Sequence, residues 1–200
     1  GTYTGFETKK YTGYNDYAPW YENKTSIKAV SFKDVVKPVS TAYWFYECKN
    51  LTSVDFTNLD TSAVTNMRFM FKDCSSLTSL DLSSFNTSAV TKMYYMFSGC
   101  SSLTSLDLNS FDTSAVTKMD GMFGNCPLET LTLGTKFAFK GDTDLIDVTW
   151  HGINTGNEYT TSVLTSTYNG PTMADTYARM TDITFNAVGG KSSFKTVNGY

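Results

Sequence analysis

The sequence predicts an α/β fold, a right-handed solenoid of about five coils, each of 24–26 residues and each made of a strand and a short helix. The prediction comes first from an internal repeat, because residues 51–76, 77–102 and 103–127 are successive copies of one motif. The second and third copies are identical at 18 of 26 aligned positions, which chance does not explain. A repeat of this length is typical of stacked units that bury one continuous core.

The first half of each repeat is predicted to be a strand. In LTSLDL, the residues Leu77, Leu80 and Leu82 fit the L-x-x-L-x-L frame of leucine-rich repeats, in which the alternating L-x-L part is a strand of period two. Stacking the coils would place these strands side by side in a parallel sheet. The pattern therefore predicts a leucine-rich-repeat solenoid with its sheet on one face.

The second half of each repeat is predicted to be a short helix. In VTKMYYMFSGC, the apolar residues Val90, Met93, Met96 and Cys100 recur at steps of three or four. This spacing forms one apolar stripe on a helix. We expect that stripe to pack against the leucines of the strand, since neither half can bury its apolar side alone.

The chain divides into four predicted segments. Residues 27–133 form the solenoid, residues 1–26 its N-terminal cap and residues 134–181 its C-terminal cap, because an open array would expose a sheet edge and an apolar end. Residues 182–200 form a β-hairpin or the start of a further β-rich module. Large aromatic residues would supply the apolar area of the caps: Tyr14, Tyr17, Trp20 and Tyr21 at one end, and Trp150, Tyr159 and Tyr168 at the other.

The repeat LTSLDLSSFNTSAVTKMYYMFSGCSS resembles that of the BspA-like leucine-rich-repeat surface proteins of bacteria. The resemblance covers about residues 18–180, and the segments before and after the repeats are also similar to the ends of such arrays. It implies a bacterial protein of the cell surface, wall-associated or secreted, that binds something outside the cell, often in adhesion. It names no ligand, because the shared residues mostly form the core.

A second resemblance begins at Asp182. The segment DITFNAVGGKSSFKTVNGY is similar to the opening of the internalin-type B repeat, a small β-rich module of bacterial surface proteins. Most of such a module would be missing here. A C-terminal hairpin that belongs to the cap fits the same residues equally well.

The four cysteines, Cys48, Cys74, Cys100 and Cys126, occur once per repeat at intervals of 26 residues. Two disulfides or a tetrathiolate metal site are the alternatives to free thiols. Equivalent positions of stacked coils have parallel side chains, whereas a disulfide needs Cβ atoms about 3.8 Å apart that face each other. A tetrathiolate metal site needs its sulfurs around one point, not in a line. We therefore expect buried free thiols and no metal.

The outer face of the predicted sheet is the first candidate binding surface. Its aspartates stand at the middle of each L-x-L, pointing away from the core, with a row of serines beside them. Like charges about 5 Å apart repel by roughly 1 kcal/mol per pair even in water. A cation, a basic partner or a hydroxyl-rich glycan would offset that repulsion, but a merely solvated sheet face explains the same residues. The candidates are Asp55, Asp81, Asp107, Ser53, Ser79 and Ser105.

The second candidate surface is aromatic. Tyr43, Phe69 and Tyr95 stand two positions after the first methionine place of successive predicted helices, about 200° round from it and so facing outward. An exposed row of rings would suit a protein partner or a sugar ring. The alternative is that the rings pack against the adjacent turn. Gly121 interrupts the row in the next repeat.

Composition and motifs exclude several classes of protein. A net charge of −3 argues against nucleic acid as the partner, and no apolar run approaches the roughly 18 residues that membrane insertion needs. The catalytic and phosphate-binding motifs G-x-S-x-G, H-E-x-x-H and the glycine-rich loop do not occur, and His151 is the single histidine. We therefore expect no enzyme and no cofactor. Because the chain begins at Gly1 and shows no signal peptide, we expect a segment of a longer protein.

These observations favour a non-enzymatic cell-surface binding or adhesion module that presents a rigid face to a host macromolecule or glycan. The expected partner is an extracellular protein or glycan, and the expected state is a monomer. The alternative is a structural spacer within a larger wall-anchored surface protein.

Overall fold

The computed structural model describes residues 17–187 and 190–197, with side chains for residues 17–181. Tyr14 and most of the predicted N-terminal cap at 1–26 lie outside the described residues. The side chains of the predicted terminal segment at 182–200 lie outside them as well, so the resemblance of that segment to a B repeat stays a prediction.

The described residues form short strands, tight turns and little helix. The elements, in chain order, are a 3-10 helix at Tyr21–Asn23, then β1 (Ala29–Ser31), β2 (Ser53–Asp55), β3 (Ser105–Leu108), β4 (Thr130–Leu133), β5 (Thr149–Gly152), β6 (Glu158–Thr160), α1 (Thr161–Thr167), α2 (Gly170–Met173), β7 (Asp175–Ala187) and β8 (Gly190–Val197). Strands β1 and β2 form a two-stranded parallel sheet. A second, mixed sheet has the strand order β3-β4-β7-β5-β6, and β8 pairs with β7.

The predicted α/β leucine-rich-repeat solenoid is wrong. The strands belong to two small sheets, residues 77–82 between β2 and β3 are not a strand, and the second sheet is mostly antiparallel at its C-terminal side. The residues predicted to be helical in each repeat are turns, and both α-helices of the described chain follow the repeats.

The backbone explains why the predicted helices do not form. Each repeat contains two residues with positive φ, for example Phe69 (54°) and Asp73 (61°), and a right-handed helix cannot pass through such residues. The central amide between them bonds to a neighbouring repeat: Phe71 N donates to Met96 O at 2.9 Å, and Phe97 N to Met122 O at 3.0 Å. Apolar residues spaced three to four apart are therefore compatible with a series of tight turns as well as with a helix.

The core lies between the turns and the strand segments of the repeats. Four phenylalanines stack along it with centroid distances of 5.4, 5.8 and 6.4 Å, and six methionines beside them are fully buried. The core residues that recur in this way are Phe45, Phe71, Phe97, Phe123, Met67, Met70, Met93, Met96, Met119 and Met122.

The C-terminal region of residues 134–181 closes one end of this core with unrepeated contacts. Trp150 is fully buried and its Nε1 donates to Thr161 Oγ1 at 3.0 Å, which joins β5 to the start of α1. Strand β7 pairs with β4 on one side and with β5 on the other. Among the described residues, no helix combines the length and the apolar character that crossing a membrane requires.

Candidate binding surfaces

The side chains of Tyr43, Phe69 and Tyr95 form a stack, which we call the aromatic ladder. The ring centroids of Tyr43 and Phe69 are 4.8 Å apart with planes inclined by 15°, and those of Phe69 and Tyr95 are 5.3 Å apart with planes inclined by 9°. Tyr95 is 38% exposed, and the other two rings are half-buried. The structure thus brings together the three aromatic residues that the sequence singles out, in direct contact with one another.

The three ladder residues do not lie on helices, as the sequence predicts, but at left-handed turn positions. Their φ angles are 60°, 54° and 54°, and Gly121 takes the same place in the next repeat with a φ of 65°. A left-handed conformation costs an L-residue with a side chain roughly 1–2 kcal/mol. Each ladder ring therefore stands at a position where glycine would be less strained.

Further rings enlarge the ladder into what we call the aromatic surface. Tyr46 packs perpendicular to Tyr43 at 5.5 Å, and Tyr94 packs perpendicular to Phe69 at 5.2 Å. Tyr17 lies at 5.3 Å from Tyr43 and stacks on Tyr21 at 3.9 Å. The aromatic surface comprises Tyr17, Tyr21, Tyr43, Tyr46, Phe69, Tyr94 and Tyr95, which are all half-buried or exposed.

Charged side chains border the aromatic surface. Lys24 lies 3.9 Å from the centroid of Tyr21 and bonds to Glu47 at 2.5 Å, and the guanidinium carbon of Arg68 lies 5.3 Å from the centroid of Tyr43. Burial, and secondly a hydrogen bond with Glu47, raises the pKa of Tyr46 to about 12. The hydrogen bond from Lys24 lowers the pKa of Glu47. Tyr46 therefore stays neutral at physiological pH, with its hydroxyl group bonded to Glu47.

The aspartates of the other candidate surface, Asp55, Asp81 and Asp107, which we call the acidic row, are exposed as expected, but they also close turns. Asp81 Oδ1 accepts from Ser83 N at 3.0 Å and from Ser83 Oγ at 2.6 Å. Asp55 accepts in the same way from Thr57, and Asp107 from the amide of Asn109. The bonds from the hydroxyl and then from the amide hold the pKa of Asp55 and that of Asp81 below the usual range.

The serines beside these aspartates, Ser53, Ser79 and Ser105, are exposed as well. Ser105 accepts a hydrogen bond from Thr130 Oγ1 at 2.7 Å, which links β3 to β4. The predicted single sheet face is wrong, because Asp55 lies on β2, Asp107 lies on β3 in the other sheet, and Asp81 lies in a segment that is not a strand. The carboxylates of the acidic row are engaged in local turns. These hydrogen bonds explain why aspartate occurs at these positions without invoking a bound ligand.

The four cysteines lie in the core as free thiols and are at most 3% exposed. Cys74 Sγ contacts Phe45 O at 3.0 Å and Cys100 Sγ contacts Phe71 O at 3.2 Å, one repeat apart. Burial raises the pKa of Cys48 and that of Cys126 to about 12. A thiol with so high a pKa is a poor nucleophile, so these side chains serve as small apolar core residues.

His151 lies on β5, where it pairs with Glu158 of β6 and with Ala178 of β7. It is half-buried. In the part of the chain that the structure describes, no group of three or more histidine, cysteine, aspartate or glutamate side chains is placed to hold a metal ion.

Four members of the aromatic surface are not predicted by the repeat: Tyr17, Tyr21, Tyr46 and Tyr94. Tyr17 and Tyr21 belong to the predicted cap, and Tyr94 has no aromatic counterpart in the third copy of the repeat, where Asp120 stands. The signal that the sequence does carry is the close spacing of tyrosines at residues 14–21 and again at residues 43–46. An alignment of the repeats does not reveal these tyrosines, because it compares equivalent positions of the repeats and not residues that are neighbours in space.

The comparison with known families shows where the chain belongs. A family described as "Mycoplasma protein of unknown function, DUF285" matches residues 28–134, which is more than half of the 200 residues. The protein is therefore a member of the DUF285 family. Searches of the curated proteins and of the solved structures found no match. The matched segment contains the ladder, the acidic row and the four cysteines.

Proposed function

We propose that this protein is a non-enzymatic binding module of the bacterial cell surface, and that it engages a macromolecule outside the cell through the aromatic surface. The cell-surface location rests on the resemblance of the repeat to BspA-like proteins. The choice of surface rests on the aromatic ladder.

The ladder supports binding because it is unfavourable for the isolated protein in two ways. Its three residues occupy left-handed backbone positions, and their rings remain partly exposed to water. Strained residues at a surface often mark a functional site. Clustered exposed aromatic area is a common feature of interaction sites, whose central residues are enriched in tyrosine, tryptophan and arginine. The acidic row lacks this argument, since its carboxylates already stabilise turns.

The experiment compares the 200-residue protein with a variant that carries Tyr43→Gly, Phe69→Gly and Tyr95→Gly. Glycine suits the left-handed backbone, as Gly121 does in the next repeat. Both proteins are tested on a glycan array and against a panel of extracellular matrix proteins, after circular dichroism has shown that both are folded. Asp81→Asn in the acidic row is the control outside the aromatic surface.

We expect binding by the wild type and by Asp81→Asn, with at least a tenfold loss for the triple variant. Binding that Asp81→Asn abolishes and the triple variant retains would move the site to the acidic row. If no probe binds the wild type, the protein is better explained as a structural spacer that holds another part of a surface protein away from the wall.

A further inference from the structure

We infer that the partner of the aromatic surface is a polypeptide that contributes aromatic side chains, and not a glycan. This inference rests on the proposed function and adds the chemical class of the partner. Its basis is which part of the ladder rings, the face or the rim, remains exposed to solvent.

The faces of the ladder rings are covered. Phe69 lies between Tyr43 and Tyr95, so both of its faces are stacked. The far face of Tyr95 meets the backbone of Gly121, where an added Cβ would lie 2.2 Å from Tyr95 Cε1. Tyr43 has Phe69 on one face, with the ring of Tyr17 and the guanidinium of Arg68 close by.

At the N-terminal side of the aromatic surface, ring faces are covered in part. Tyr17 and Tyr21 stack at 3.9 Å with planes inclined by 15°, and Lys24 lies over the ring of Tyr21 at 3.9 Å. Since both faces of Phe69 and of Tyr95 are occupied, the exposed part of these two rings is their rim. The rims carry C–H groups and, on the tyrosines, hydroxyl groups.

A sugar ring packs its C–H groups on an open aromatic face, because the face of the ring is the electron-rich side. Stacked rings with closed faces do not offer that platform. Ring edges are electron-poor and pair with the face of another aromatic ring in the edge-to-face arrangement. The open rims of Phe69 and Tyr95 thus suit an aromatic side chain laid flat across them.

The protein already packs perpendicular rings against the ladder. Tyr46 and Tyr94 are inclined by 84° to Phe69, at centroid distances of 6.2 and 5.2 Å. An aromatic side chain from a partner would extend this arrangement to the rims that face solvent. Tyrosine hydroxyls at the same rims can donate to backbone carbonyl groups of that partner.

The test is a selection of random dodecapeptides displayed on phage against the immobilised 200-residue protein, with counter-selection on the triple glycine variant. We expect the enriched peptides to contain tryptophan, tyrosine or phenylalanine. A synthetic peptide from the selection should lose at least tenfold in affinity for the triple variant and keep its affinity for Asp81→Asn. Exchange of its aromatic residues for leucine should cause a loss of similar size.

A second variant, Tyr95→Asn, guards against a triple variant that fails to fold, since asparagine tolerates the left-handed conformation. It should weaken the same peptide without changing the circular dichroism spectrum. Enriched peptides without aromatic residues, or ladder-dependent binding to a glycan and not to aromatic peptides, would overturn this inference and leave the proposed function standing. Absence of ladder-dependent binding to any peptide, glycan or matrix protein would overturn both.

Discussion

The repeats at residues 51–127 and the C-terminal region at residues 134–181 hold their backbones in different ways. In the repeats, one contact recurs: the buried hydroxyls of Thr61, Thr87 and Thr113 each donate to a carbonyl about one repeat further on and accept from the amide of the same residue. For Thr87 these bonds join it to Asp112 at 2.9 and 2.8 Å. Each of these threonines thus links its own repeat to the backbone of the segment that follows it.

In the C-terminal region, a single carboxylate holds a whole loop. Asp175 is 5% exposed and accepts hydrogen bonds from the amides of Asn154, Thr155 and Thr176 and from the side chains of Asn154 and Thr155, at 2.7–3.2 Å. The comparison indicates that a substitution in the repeats should lower the free energy of unfolding by a moderate amount, similar at equivalent positions of each repeat. A substitution at Asp175 in the C-terminal region should lower it by a large amount.

Asp175→Ala should have the largest effect of the substitutions considered. It would leave several loop donors without an acceptor in a site with little access to water. Hydrogen bonds to a charged group contribute about 1.5–3 kcal/mol each, and they are not additive. We expect a loss of about 3 kcal/mol in the free energy of unfolding, measured by urea denaturation. Asp81→Ala in a repeat is the control and should lose clearly less; equal losses would refute the contrast between the two regions.

Gly121→Ala should destabilise the repeats by about 2 kcal/mol. Alanine there meets a φ of +65° and places its Cβ against the ring of Tyr95. Gly156→Ala in the C-terminal region is the matched control, because its φ is +70° and nothing lies within 4 Å of an added Cβ.

Only the backbone cost, about 1 kcal/mol, should remain for Gly156→Ala. In the background of Tyr95→Gly, the effect of Gly121→Ala should fall to the same value. A double-mutant cycle by urea denaturation measures this coupling, and a coupling of zero would show that the ring of Tyr95 does not rest on Gly121.

Thr87→Val should lower the free energy of unfolding, measured by urea denaturation, by about 1–2 kcal/mol, because the amide and the carbonyl of Asp112 would lose their partner inside the protein.

Thr41→Val should not destabilise the protein, in contrast to Thr87→Val. Thr41 is fully buried at the place where the next repeat has Met67, and within the described residues its Oγ1 has no hydrogen-bond partner. We expect no loss, or a gain of up to about 1 kcal/mol, in the same denaturation assay. A loss for Thr41→Val would show that its hydroxyl is bonded after all.

Acid should weaken the repeats by a small amount per carboxylate. The hydrogen bonds that Asp55 and Asp81 accept hold their pKa below the usual value. In the unfolded chain the pKa of aspartate is about 3.9, so the unfolded state binds more protons over this range. The contribution of these bonds to stability is therefore complete above about pH 5 and falls as the pH drops towards the folded pKa.

Urea denaturation between about pH 6 and pH 3 measures this decline. A variant with Asn at both positions should show a shallower decline, since an amide oxygen can accept the same bonds without titrating. A decline of equal slope in the two proteins would assign the acid sensitivity to other carboxylates. Burial raises the pKa of Asp175, but its bonds from Thr155 and Asn154 outweigh that effect, so it adds to the decline with the same sign.

The candidate surfaces were predictable to different degrees. The recurrence of Tyr43, Phe69 and Tyr95 at one place in the repeat was enough to predict a row of rings, and their periodic spacing is why they touch. The turn bonds of Asp81 were not predicted, because alternation of apolar and polar residues says which side of a strand a residue faces and not which donor its side chain meets.

The sequence by itself determined the period of the repeat and the apolar residues that are buried in each copy. These properties follow from composition and spacing alone. Only the tertiary structure decided that residues such as 87–99 form turns and not a helix, that the strands separate into two sheets, and that the loop at Asn154 closes on Asp175. The physical reason is that the structure formed by each segment depends on which hydrogen-bond partner its backbone polar groups find. The amide of Phe71 bonds to Met96 in another repeat and not to a carbonyl of its own turn, and a contact of that range is not encoded in the local spacing of apolar residues.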